Sequence, residues 1–136
     1  MMQLSLDQLP QLCEHIRNQL PNGGVIVLQG DLASGKTTFT QAFSRFLGLE
    51  DAVTSPTFSL QQRYGDKLFH YDLYNYGFEE FVSMGMLEEL EKPGVHLIEW
   101  GDESLITFLK KAGFAYVVVK ITKCDNETRR YEVDND

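Results

Sequence analysis

Between residues 30 and 37 the chain reads Gly30-Asp31-Leu32-Ala33-Ser34-Gly35-Lys36-Thr37, a glycine-flanked stretch that ends in a lysine and a hydroxyl. This is the GxxxxGK[ST] spacing of a phosphate loop. Glycines let the backbone curl until successive N–H groups point at phosphate oxygens, and a helix that begins there adds the positive end of its dipole. The backbone of Leu32, Ala33, Ser34 and Gly35 is therefore expected around the phosphates. Lys36 supplies a point charge for the β- and γ-phosphates, and the Thr37 hydroxyl enters the coordination shell of Mg²⁺, with Thr38 the lesser choice. The bland alternative is a glycine turn before a helix with an exposed lysine. Average residue usage produces the pattern by chance about once in two hundred chains of this size, and a strand before it and a helix after it lower that further.

Two carboxylates stand where such a site needs them. The apolar run Val95-His96-Leu97-Ile98 ends in Glu99, the arrangement by which a strand delivers a second acid to magnesium, commonly through water. In Leu68-Phe69-His70-Tyr71-Asp72-Leu73-Tyr74, alternation puts His70, Asp72 and Tyr74 on one face and Phe69, Tyr71 and Leu73 on the other. Asp72 can thus face a nucleotide, against the alternative of a solvated aspartate on an edge strand. A lone histidine such as His70 is more often structural than catalytic.

The elements that must hold these residues follow from periodicity. Asp7 is expected to cap a helix over 8–20, where Leu9, Leu12, Cys13, Ile16 and Leu20 recur at helical spacing. A turn over 21–24 leads to a strand over 25–28, the glycine loop, and a helix whose stripe is Phe39, Ala42, Phe43, Phe46 and Leu47, closed by Gly48. Strands over 57–64 and 68–74 flank Gly65-Asp66-Lys67 as a hairpin. The stretch 78–91 reads as helix with a break at Gly85. It is followed by a strand over 95–100, a helix over 102–111 up to Gly113, and strands over 114–122 and 129–133. Strand-loop-helix units mixed with hairpins predict one α/β domain over residues 1–136, a P-loop-like mixed parallel and antiparallel sheet flanked by helices.

Composition narrows the function classes. A chain of 136 residues with 43% hydrophobic content suits one globular domain. No apolar stretch approaches the roughly 20 residues that span a bilayer. Residues 1–10, MMQLSLDQLP, carry neither a basic n-region nor an apolar h-region, so the expected address is cytoplasmic and without a membrane role. Cys13 and Cys124 lack metal-ligand or CxxC spacing and read as reduced thiols. With 20 acidic against 12 basic residues and a net charge of −8, the surface repels a phosphate backbone, so autonomous nucleic-acid binding is not expected.

Taken in order, GDLASGKTTF, SPTFSL, HYDLYNY and LIEWGD resemble the TsaE family of bacterial threonylcarbamoyladenosine-biosynthesis ATPases over nearly the whole chain. The resemblance implies ATP binding with Mg²⁺ and slow hydrolysis in support of tRNA modification. The transfer itself falls to partner proteins TsaD and TsaB, and tRNA is met only through that complex. It implies that Lys36 and Thr37 are the phosphate and magnesium residues, Glu99 the second magnesium-linked acid, and Asp72 an acid near the γ-phosphate. Thr54 to Thr57 resembles a switch-like loop, and Trp100 an aromatic neighbour of the site. Asp102 keeps the acid two places beyond that tryptophan and is placed at the nucleotide by analogy. Arg129 and Arg130 fall at an arginine-rich terminal turn, as phosphate or partner contacts or as ordinary surface arginines. Ser5 to Asp7 are candidates to border the base. Asn75 stands where the family commonly has arginine.

Rival readings start from the same loop. Thr122-Lys123-Cys124-Asp125 resembles a guanine-reading element, yet Asp72-Leu73-Tyr74-Asn75 lacks the glycine of a GTPase switch, so the tetrapeptide is read as a turn into the last strand. A metabolite kinase would surround the γ-phosphate with arginines and carry a lid, whereas Arg17, Arg45, Arg63, Arg129 and Arg130 are scattered. A non-catalytic nucleotide-switched adaptor shares the loop and the fold and differs only in turnover.

Overall fold

The computed structural model describes residues 2–30, 35–49, 61–64, 67–74, 76–125 and 127–134. The expectations for Asp31 to Ser34, Thr54 to Thr57, the turn residues Gly65 and Asp66, and Asn75 lie outside them.

A seven-stranded sheet runs in the order β1-β7-β6-β2-β5-β4-β3, built from β1 (Met2–Ser5), β2 (Gly24–Gln29), β3 (Gln61–Tyr64), β4 (Leu68–Asp72), β5 (Val95–Glu99), β6 (Tyr116–Lys123) and β7 (Thr128–Asp134). Strands β4, β5, β2 and β6 are mutually parallel. β3 closes one side antiparallel to β4, while β7 and then β1 extend the other side in antiparallel pairs. The central strands carry Val25, Ile26, Val27, Leu28, Leu97, Ile98, Val117 and Val119 fully buried. Such continuous apolar runs mark strands covered on both faces.

Helices α1 (Leu9–Gln19) and α2 (Lys36–Phe46) cover one face, packing Leu9, Leu12, Cys13, Ile16, Phe39 and Phe43 against Ile26, Leu28, Leu97 and Val119. The other face lies under α3 (Phe78–Ser83), α4 (Met86–Glu89) and α5 (Glu103–Ala112), where Phe81, Leu90, Leu105 and Leu109 meet Val27, Tyr71 and Ile98. None of the described helices is long and apolar enough to cross a membrane.

Several elements depart from the sequence expectation. Asp7 does not open the first helix. A 3-10 turn over Leu6–Gln8 precedes α1, the Ser5 N–H donates to Gln8 Oε1 at 2.9 Å, and Pro10 sits in the first turn of α1, where its missing N–H costs nothing. Strand β1 was not expected at all. Its residues are held by pairing with Thr128 to Tyr131, a contact that local periodicity does not reveal. β4 is an interior strand, with β3 taking the edge, so Asp72 does not sit on an edge strand. The break at Gly85 is present, with φ 80° there separating α3 from α4. Asp102 caps α5, its Oδ1 accepting the Leu105 N–H at 3.0 Å, and Gly113 ends the helix at φ 80°.

Candidate functional site

Parallel strands that share a direction also share a carboxyl end, and ligands of open α/β sheets bind beyond it. Here β2, β5 and β4 end side by side. Leu28 is in register with Glu99, and Glu99 with Asp72. Gly30 follows β2, and α2 begins at Lys36 after Gly35, which takes φ 109° as the helix cap, a left-handed conformation that glycine adopts without strain. The phosphate-loop lysine, both expected carboxylates and the amino end of α2 are therefore gathered at one edge.

Lys36 is buried. Its ammonium donates to the Gly30 carbonyl at 2.9 Å and lies 4.0 Å from the centre of the Trp100 ring. A buried cation needs compensation of this kind. Trp100 is the only described non-glycine residue with positive φ, at 65°, a conformation that costs an L-residue about 1–2 kcal/mol. Its N–H donates to Leu28 O at 3.1 Å, and its ring packs on Tyr74 with centroids 5.0 Å apart.

Glu99 is 3% exposed and forms a hydrogen-bonded pair with fully buried His70, Nε2 to Oε2. Asp72 is half-buried. Burial is the main force holding its carboxyl above the ordinary carboxylate range, opposed by the Tyr74 N–H that donates to it and reinforced by the charge of Glu99. Lys36 is close enough to pull the other way. Thr37 is half-buried and Thr38 exposed in the first turn of α2. The described contact of Asp102 is the cap of α5.

A cavity of about 240 Å³ opens beside the start of α2, lined by Leu4, Leu6, Leu9, Gly35, Thr38, Glu127, Arg129 and Tyr131. The Arg129 guanidinium lies over Gly35, where a methyl group would come within 3.8 Å of its Nε, and its NH1 donates to Asp125 O and Thr128 O, each at 3.1 Å. Of Ser5–Asp7, singled out in sequence apart from Arg129, Leu6 lines the cavity with Arg129, and the pairing of β1 with β7 brings the two segments together. A roomier groove of about 720 Å³ lies near Gly24, Gly94 and Ala115, which adjoin the amino ends of the parallel strands, opposite to the loop. The buried titratable group on its wall, His96, has both ring nitrogens engaged, by Tyr71 Oη at 2.7 Å and by Lys92 O at 2.8 Å.

Among the described residues no group of three or more His, Cys, Asp or Glu could cage a metal ion. A buried carboxylate at a strand end together with a threonine hydroxyl suits a different arrangement, a Mg²⁺ held mostly by phosphate oxygens and water. Asp125, the candidate guanine reader, instead closes the turn between β6 and β7, its Oδ1 accepting the N–H groups of Glu127 and Thr128, each at 2.8 Å.

The family model for threonylcarbamoyl adenosine biosynthesis protein TsaE matches residues 4–131. The chain is 36% identical over 122 residues to the tRNA threonylcarbamoyladenosine biosynthesis protein TsaE of Bacillus subtilis, covering 82% of this chain and 75% of that protein. It is 33% identical over 121 residues to the protein of the same name from a Nostoc species, covering 84% and 72%. The crystal structure of YdiB from Bacillus subtilis superposes with a TM-score of 0.59 at 26% identity, over 99% of this chain and 87% of that one. With the family model matching from β1 into β7, the chain belongs to the TsaE family of threonylcarbamoyladenosine biosynthesis proteins.

Proposed function

We propose that this protein binds Mg-ATP at the carboxyl edge of β2, β5 and β4 and hydrolyses it slowly, in support of the threonylcarbamoyladenosine modification of tRNA, with TsaD and TsaB as partners. The observation that carries the reading is the convergence of Lys36, Glu99 and Asp72 on the amino end of α2.

In this reading the Lys36 ammonium would neutralise the β- and γ-phosphates at the start of α2. Thr37 and Glu99 would hold the metal side. Magnesium supplies charge neutralisation between the phosphates. Asp72, whose carboxyl pKa is pushed up by burial, would orient the attacking water and hold its proton. Asp102 acts at the nucleotide only by way of the backbone it fixes at the start of α5. The cavity over Gly35 suits an adenine, with Leu4, Leu6 and Leu9 as an apolar floor and Arg129 on its wall. The acidic surface, with a net charge of −8, leaves tRNA to be met through the complex.

The test is ATP turnover by the protein alone, with TsaD and TsaB from the same source, and with tRNA added, alongside tRNA binding at moderate salt. The reading expects slow turnover alone, acceleration by the partners and no tRNA binding by the isolated chain. Fast turnover indifferent to the partners, or tight tRNA binding without them, contradicts it. A clear preference for GTP over ATP would also contradict it.

A further inference from the structure

The least expected contact at the site is the one between His70 and Glu99. Burying an ionised carboxylate is costly unless hydrogen bonds replace its water, and Glu99 is 3% exposed. The residue that meets it is fully buried His70, one strand away on β4, through Nε2 and Oε2. A carboxylate oxygen accepts, so His70 Nε2 is the donor to Glu99 Oε2. Nδ1 is buried and has no partner among the described residues, so the polar contact of this ring is spent on Glu99. The ring is seated by Tyr64, 6.3 Å away between centroids. The bond takes one carboxylate oxygen and fixes the rotamer of the other.

We propose that His70 is a positioning residue that aims Glu99 Oε1 at the water shell of the nucleotide-bound magnesium. The inference rests on the Mg-nucleotide reading of the site. Partners that orient an acid or ligand near a metal commonly change metal affinity by about 10–100-fold when removed. A histidine that merely fills space would change stability without separating metal binding from nucleotide binding.

The experiment titrates Mn²⁺ into the ADP complex and reads bound metal by electron paramagnetic resonance, with metal-free ADP affinity measured in parallel by calorimetry. His70→Leu is expected to weaken Mn²⁺ binding about 10–100-fold while leaving metal-free ADP affinity unchanged. The double variant His70→Leu/Glu99→Gln should bind metal no more weakly than Glu99→Gln, because the two residues act through one oxygen. His70→Gln, whose amide reaches the Nε2 position, should stay near the parent, and His70→Asn, whose amide stops at the Nδ1 position, should behave as a loss. This contrast decides the matter if His70→Leu does not fold. Parental Mn²⁺ affinity in His70→Leu, equal weakening of metal-free ADP, additive losses in the double variant, or indistinguishable Gln and Asn variants would each overturn the proposal. A parent protein that binds neither ADP nor ADP with Mn²⁺ would remove the nucleotide reading itself and the inference with it.

Discussion

Gly101 lies between Trp100 and Asp102, where the chain leaves β5 for α5, and it is buried. A methyl group there would stand 2.5 Å from Val27 Cγ1 and 2.9 Å from Leu105 Cδ2, against an optimum of about 3.5–4.0 Å between carbon atoms. Both neighbours are fully buried, so neither can swing into solvent, and the Gly101 carbonyl is held by Gln29 Nε2 at 3.1 Å. Gly101→Ala must therefore push β2 and α5 apart. Overpacking of this kind costs about 1–3 kcal/mol, which for a chain of this size lowers Tm by about 3–15 °C. Val27→Ala should cost about 2 kcal/mol or more by itself, yet it removes the atom that clashes. The double variant is then expected to be more stable than the sum of the single losses by about 1 kcal/mol or more. Urea denaturation with an unchanged m-value is the assay. A Gly101→Ala protein that melts with the parent, or single losses that add up in the double variant, would refute the packing argument.

Stability should also respond to pH through His96. Burial is the main force that lowers its pKa below 6.5, partly offset by the hydrogen bond to the Lys92 carbonyl. The neutral ring accepts from Tyr71 Oη at 2.7 Å, so its stabilisation is present in full above 6.5 and is lost as the pH falls from there through the lower folded value. Thermal melts should show this loss in the parent, and His96→Phe should remove that part of the pH dependence. Asp72→Ala and Glu99→Ala should keep the fold and reduce partner-activated ATP hydrolysis by about 100-fold or more, with a smaller effect on nucleotide affinity. Parental turnover in both variants would redirect attention to Asp31 and Asp102.

The phosphate-loop motif and Glu99 stand out in sequence as candidates because the signal is local: a fixed spacing of glycine, lysine and threonine, and an acid at the end of an apolar strand. Asp72 was legible as a candidate, although alternation alone could not tell an interior β4 from an edge. What could not be read was everything made by distant pairing. β1 has four residues and owes its place to β7, so the cavity between Leu6 and Arg129 exists only once the sheet closes. Period two put His70 and Asp72 on one face but said nothing of Glu99 on the neighbouring strand, and so the contact of His70 with that candidate carboxylate could not be read. Trp100 was expected near the site, whereas its left-handed backbone and its ring under the Lys36 ammonium carry no sequence signature.

The central claim is that Lys36 and the loop around it form a Mg-ATP site. The Lys36 ammonium already contacts Gly30 O and the Trp100 ring, so a bond to phosphate has to outweigh them. A charged hydrogen bond contributes about 1.5–3 kcal/mol, or roughly a factor of 10–100 in affinity. Calorimetric titration of Mg-ATP into the parent and into Lys36→Ala measures this directly. The account predicts saturable binding at one site in the parent, weakened by about tenfold or more in the variant. Equal affinity in the two proteins, or no heat of binding in the parent, would contradict it.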